Sequence, residues 1–352
     1  MKINSIILFF SVITLNLFIS CKKNDLNSLN DNFYVRHAGA DMPVYIHGNA
    51  SEKVFLLFIH GGPGDNGLQY REGIASENLE KDYAVVYYDQ RGQGLSEGKF
   101  EQEDVTISLM SDDLHAVVLT IIKKYGNDIS IFLLGHSWGG ELGTDYLLKN
   151  NYPPNIKGWI EIDGAHDVPK INVELAKMII KVGNQQISIG NSKDKWQELI
   201  SWVNKLDTAN INFEQGRDLN RKARIAEQIL IDDDFVTAPD KKTFRDLTIL
   251  YNQNIITGIF SGNYTYVNNK GFYNEIELAS YTNQLQNINL PSLFLWGKYD
   301  FIVPAALGYD AYNLVNTQHK NIIIFEQSGH MPMKNQPYEF VDAISNFVET
   351  YK

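Results

Sequence analysis

Gly135-His136-Ser137-Trp138-Gly139-Gly140 places a serine between two glycines at the G-x-S-x-G spacing. The apolar run Ile129-Ser130-Ile131-Phe132-Leu133-Leu134 precedes it, and the helix-like stretch Glu141-Leu142-Gly143-Thr144-Asp145-Tyr146-Leu147-Leu148 follows. Strand, sharp turn, helix is the context in which this spacing lifts a serine side chain out of the top of a sheet. Small residues on both flanks leave room for such a turn. The bland alternative is a plain glycine-rich turn; the flanking pattern favours a nucleophile, Ser137.

A serine hydroxyl attacks only when a base takes its proton, and on this kind of fold the order is Ser, then Asp or Glu, then His. Of eight histidines, His166, His319 and His330 follow the serine. His166 lies too close behind Asp163 for the two to occupy separate loops. His319 opens the strand-like run Asn321-Ile322-Ile323-Ile324-Phe325 at its far end, whereas His330 follows that run. Loops after strand ends carry chemistry in such sheets, so His330 is the expected base, against the reading of a solvated loop histidine. Leu293-Phe294-Leu295-Trp296-Gly297-Lys298-Tyr299-Asp300 ends a strand in a carboxylate that would fix the imidazole tautomer. Asp163, after Trp159-Ile160-Glu161-Ile162, competes for that role but opens a long insertion. Either aspartate could instead cap a helix. For an oxyanion, one backbone N–H is expected from Trp138, the residue after the nucleophile. The other is expected from Gly62, in the loop His60-Gly61-Gly62-Pro63-Gly64 after the strand Val54–Ile59.

With these pieces in order the chain resembles the α/β-hydrolase superfamily. Together with His60-Gly61-Gly62-Pro63-Gly64, the stretch Asp89-Gln90-Arg91-Gly92-Gln93-Gly94-Leu95-Ser96 is similar to the proline iminopeptidase (prolyl aminopeptidase) branch. The resemblance covers about residues 33–164 and 291–352. It implies release of an N-terminal residue from peptides by a Ser137–Asp300–His330 triad, without metal or other cofactor. Two departures stand out. His136 occupies a position where that branch commonly has glycine, and His-Ser is more usual in esterases and lipases of the superfamily. The branch's Trp-x-x-Trp-Glu signature, whose glutamate helps bind the free amine, is not reproduced by Trp196 and Trp202. A carboxylesterase or lactonase with the same triad is therefore the alternative, and a non-catalytic binding module on the same fold the remote one. Epoxide hydrolases and haloalkane dehalogenases share the early loop but attack with aspartate, where this chain has Ser137.

At 352 residues and 44% hydrophobic, the chain can bury one large core with an insertion. Its 42 acids against 31 Lys and Arg, net −11, argue against nucleic acid as a partner and leave a small molecule or short peptide. Residues 1–20 begin with Lys2 and continue nearly all apolar into Leu17-Phe18-Ile19-Ser20 before Cys21, the one cysteine. This resembles a lipoprotein signal peptide cleaved before Cys21. Residues 21–32 would then be a lipidated tether, membrane contact would run through the lipid alone, and the enzyme would be held in a bacterial cell envelope. A lone cysteine also rules out an internal disulfide.

The expected architecture is α/β: an α/β-hydrolase core in two parts, residues 33–164 and 291–352, with a mostly parallel central sheet flanked by helices. Asn32–Val35 and Pro43–Ile46 read as a leading hairpin, Tyr83–Asp89 as a buried strand, and Asp104–Tyr125, Pro304–Val315 and Pro337–Tyr351 as helices. The core pattern lapses over 165–290, which reads as a helical cap with Trp196, Trp202, Phe213, Phe235 and Tyr251. Glu174, Glu198, Glu214 and Glu227 are its candidate acids for a substrate ammonium, though each reads first as a solvated helix residue. Nothing in the sequence fixes the oligomeric state.

Overall fold

The computed structural model describes residues 25–208, 210–240 and 269–352; Cys21 and Tyr251 lie outside them. A nine-stranded sheet runs through the core. Its strands are β1 (Leu29–His37), β2 (Ala40–Gly48), β3 (Val54–Ile59), β4 (Ala84–Tyr88), β5 (Glu97–Gly98), β6 (Ser130–His136), β7 (Ile156–Ile162), β8 (Ser292–Gly297) and β9 (Lys320–Phe325). The spatial order is β1-β2-β4-β3-β6-β7-β8-β9, with β5 beside β2. All pairings from β4 to β9 are parallel, and β2 joins β1, β4 and β5 antiparallel. The mostly parallel sheet is as the sequence implied. β3 and β8 are buried at every residue, which is why they read as unbroken apolar runs rather than alternating ones. The leading hairpin is longer than the sequence suggested, because pairing extends through polar edge residues from Leu29↔Gly48 to His37↔Ala40.

Helices cover both faces. On one face lie α2 (Ile107–Tyr125), α3 (Trp138–Leu148) and, further along the chain, the helix Ala306–Leu314; α1 (Ile74–Asp82) and the C-terminal helix Pro337–Tyr351 lie on the other. α2 starts three residues later than the sequence pattern implied. The Thr106 side chain accepts from the Leu109 N–H at 3.1 Å and caps it there, while Gln102–Asp104 forms a separate 3₁₀ turn.

Between β7 and β8 the chain leaves the sheet. α4 (Val168–Ser188), α5 (Lys193–Val203) and α6 (Phe213–Asp232) share their own apolar core of Leu175, Ile179, Trp196, Leu199, Leu219 and Leu230, into which Phe301 projects from the β8 loop. Trp196 is fully buried, so it packs this layer. α7 (Lys270–Leu278) follows, and its Phe272 and Ile276 join the main core. Entry and exit of this excursion are tied together. Asp167 caps α4 through Lys170 N–H and accepts from Ser280 Oγ and Thr282 Oγ1, both at 2.7 Å, while Val168 N–H bonds Ala279 O. These bonds fix the helical layer relative to the C-terminal ends of β7 and β8. Among the described residues no helix is long and apolar enough to cross a membrane.

Candidate active site

Ser137 sits between β6 and α3 with φ 55° and ψ −122°, a conformation that costs a non-glycine residue of order 1–3 kcal/mol. Its backbone is held from several sides. Its N–H donates to Ile162 O at 3.0 Å, and its carbonyl accepts from Gly140 N at 2.8 Å and Ala165 N at 3.0 Å. The flanking glycines have a packing reason. A Cβ on Gly139 would drive into the Ile59 carbonyl, and one on Gly135 into the Trp159 ring.

The loops after β8 and β9 bring the predicted acid and base together. His330 Nδ1 lies 2.8 Å from Asp300 Oδ2. The other oxygen of Asp300 accepts from Ile302 N at 2.7 Å and Val303 N at 2.9 Å, so the carboxylate cannot turn. With Nδ1–H committed to it, the imidazole presents Nε2 as its lone-pair nitrogen. Asp163 lies beside this pair without bonding the imidazole. It accepts from Gly297 N at 2.9 Å, and burial, then the charge of Asp300, raise its carboxyl well above the usual range. Of the four cap glutamates, only Glu227 reaches this centre. Its Oε1 accepts the His330 backbone N–H at 3.1 Å, and burial, then Asp300, push its carboxyl up to about 7. Glu174 pairs with Lys177, Glu198 with Lys222, and Glu214 is exposed.

Gly62 has φ 118°, and a Cβ there would lie 2.6 Å from Gly64 N, so that turn needs glycine. The Asp89–Gly94 segment braces this loop. Gln90 donates from its backbone to His60 Nε2 (3.2 Å) and from its side chain to His60 O (2.8 Å), while its Oε1 accepts from Trp138 Nε1 (2.8 Å). Gln93 Oε1 accepts from Gly64 N at 2.6 Å. Burial holds His60 down at about 4, so it stays neutral and can accept from Gln90. Arg91, fully buried, anchors the segment by a bidentate pair to Asp113 at 2.6 and 2.7 Å.

His136 has both ring nitrogens engaged. Gly61 N–H donates to Tyr70 Oη at 2.9 Å, Tyr70 O–H lies 2.6 Å from His136 Nδ1, and His136 Nε2 lies 2.8 Å from the His330 carbonyl. A carbonyl can only accept, so Nε2 carries the proton and Nδ1 accepts from the tyrosine. Burial and the nearby His330 keep this ring well below the ordinary histidine range, in agreement with a neutral tautomer. The relay joins the Gly62 loop to the His330 loop. It also gives His136 a structural occupation, bridging Tyr70 and the His330 carbonyl. His136, Asp163 and His330 bring donor atoms within 4.8 Å of one another, but these engaged His136 nitrogens leave no ligand lone pair free.

A cavity of about 400 Å³ is lined by Ser137, Gly62, Pro63 and Trp138 among others, within the usual range for a small-molecule site. Glu141, four residues past Ser137 on α3, lines it and is fully buried, and neither of its carboxyl oxygens has a hydrogen-bond partner. Burial, then Glu275, Glu277 and Asp145, raise its carboxyl well above the usual range. Glu277 also lines the cavity, and α6 contributes Arg217, Arg221 and Arg224. The sequence reading missed Glu141 and the arginines. The i, i+4 relation of Glu141 to Ser137 was the available signal.

Comparison with known proteins agrees with the fold. The family model "Serine aminopeptidase, S33" matches residues 50–203. A proline iminopeptidase of Saccharolobus solfataricus is 27% identical over 84% of this chain and 84% of its own length. A probable aminopeptidase of Bacillus subtilis is 24% identical over 85% and 90%. Among solved structures, a proline iminopeptidase-related protein of Thermus thermophilus superposes with TM-score 0.60 at 17% identity, covering 92% of this chain and 98% of its own. An esterase of Exiguobacterium antarcticum gives 0.57 at 16%, covering 91% and 100%; at such identities these two speak for the fold. The chain is an α/β-hydrolase enzyme, proline iminopeptidase-like in sequence and of the aminopeptidase or esterase kind.

Proposed function

We propose that the protein is a serine aminopeptidase that removes the N-terminal residue of small peptides through an acyl-enzyme. Ser137 Oγ attacks the carbonyl carbon of the first peptide bond while His330 Nε2 takes the hydroxyl proton. Asp300 holds Nδ1–H and stabilises the imidazolium. The oxyanion accepts from the backbone N–H groups of Gly62 and Trp138, which line the same cavity as the serine. Collapse of the tetrahedral intermediate breaks the C–N bond, and the imidazolium gives its proton to the departing amine. Water, deprotonated by the same imidazole, then hydrolyses the acyl-serine and restores the enzyme.

The observation that carries the aminopeptidase reading over an ester-cleaving one is Glu141. A fully buried carboxyl with no hydrogen bond, lining the cavity of the nucleophile and raised first by burial and then by neighbouring acids, lacks a cation. A substrate α-ammonium would supply it and restore the carboxylate. Free and N-acetylated aminoacyl p-nitroanilides test this, with Ser137→Ala as the blank and fluorophosphonate labelling as the check on the nucleophile. Free-amine substrates should be cleaved and acetylated ones spared. Equal turnover of both, or turnover of p-nitrophenyl esters alone, refutes the aminopeptidase reading.

A further inference from the structure

Three arginines of α6, at positions 217, 221 and 224, line the cavity that holds Ser137. Spacings of four and three place them on one face of the helix. Their described partners leave most of their donors available. Arg217 lies over the Phe213 ring, Arg221 pairs with Asp218 one turn away, and Arg224 donates to Asn220, whereas each guanidinium carries five N–H groups. All three are exposed while Glu141 is fully buried. The cavity lining is therefore polarised, with a buried acid at Glu141 and exposed cations on α6.

We infer that these arginines receive the free carboxylate of a short peptide whose amino end points at Glu141, so that the enzyme selects small zwitterionic peptides over long chains. The inference rests on the aminopeptidase reading and names its substrate class. From Arg217 to Arg224 the helix rises about 10 Å, close to three residues of extended chain. Peptides differing in length by up to about three residues can therefore each set a terminal carboxylate beside one of the guanidinia. An acidic side chain just after the scissile bond offers the same chemistry, and the experiment separates the two sources.

The experiment measures kcat/KM for three dipeptides with the same first residue: X-Ala with a free carboxylate, X-Ala-amide, and X-Asp-amide. For the wild-type protein at low salt, X-Ala should exceed its amide about tenfold, mainly through KM. That ratio should shrink as salt rises, because the arginines are exposed. Arg221→Gln/Arg224→Gln should bring X-Ala down to the level of its amide, and fluorophosphonate labelling reports whether the nucleophile is intact in that variant. Recovery of the full rate by X-Asp-amide would overturn the terminal-carboxylate assignment in favour of side-chain recognition. Equal rates for X-Ala and its amide would overturn the inference while leaving the aminopeptidase reading in place. Failure to cleave any of the three, with p-nitrophenyl esters still turned over, would instead strike the aminopeptidase reading.

Discussion

Asp300→Asn is the sharpest test of the proposed triad, because the structure limits what the new amide can do. Asp300 Oδ1 accepts two backbone N–H groups, from Ile302 and Val303, and Oδ2 faces His330 Nδ1. An asparagine that keeps its oxygen on the two N–H groups must point its NH₂ at the imidazole. Turning the amide over would set that NH₂ against both backbone donors and leave each unsatisfied, at about 1–3 kcal/mol apiece. The imidazole therefore yields, accepting at Nδ1 and carrying its proton on Nε2, where it cannot take one from Ser137. Loss of the correct tautomer costs on the order of 10⁴ in kcat in enzymes of this mechanism, or about 5.4 kcal/mol of barrier at 1.36 kcal/mol per tenfold. The assay is kcat/KM on a free aminoacyl p-nitroanilide, with thermal melting to show that the fold persists, and with Asp163→Asn run in parallel. Asp163 bonds Gly297 N–H through one oxygen, an acceptor that asparagine retains, so its variant should stay within about tenfold of wild type. An Asp300→Asn enzyme within tenfold of wild type, or an Asp163→Asn enzyme carrying the large loss, would refute the reasoning.

Other changes read out other parts of the molecule. Tyr70→Phe deletes the hydroxyl between Gly61 N–H and His136 Nδ1 and orphans two buried groups. Urea denaturation should show a loss of about 2–6 kcal/mol, and a loss below about 0.5 kcal/mol would mean the relay is not made. Glu227, held up at about 7, binds a proton in the folded state that the unfolded chain releases near 4.3. Between those values the native state holds more protons, so this group's contribution to stability falls as pH rises and then levels off. Melting of Glu227→Gln against wild type from pH 4.5 to 8 should show the variant gaining relative stability with pH; a flat difference contradicts the assignment. Cys21→Ser tests the expected lipid anchor. The variant should lose labelling by an alkyne fatty acid and leave the membrane fraction, and unchanged partitioning would discard the anchor.

Much of the scaffold could be read from residues alone. Unbroken apolar runs announced β3 and β8 because both faces of those strands are covered, and the order of Ser137, Asp300 and His330 along the chain matched three strand-end loops. What escaped depended on contacts distant in sequence. Asp163 and Asp300 both end strands; the sequence prefers Asp300 only because Asp163 opens the insertion, and the contacts themselves, Gly297 N–H opposite Asp163 and the imidazole opposite Asp300, needed the structure. Gln90, Gln93 and Arg91 read as part of a motif, but their work, bracing the Gly62 loop from the next strand, needs the β3–β4 pairing to be seen. His136 stood out in the sequence only as a departure from the branch's glycine, and its ties to Tyr70 and the His330 carbonyl needed the structure. Trp196 gives no sign in the sequence of what it packs against, and the structure buries it in the core of the helical layer.

α6 bears on two matters at once. Its Glu227 steadies the backbone of His330, while its arginines face whatever enters the cavity. On the proposed role of the arginines, speed and selectivity are geared to a single rod of twenty residues. Laboratory evolution for a new substrate that shifts this rod should drag turnover along with preference. Variants that change one without the other are to be sought among side chains that leave its axis where it is.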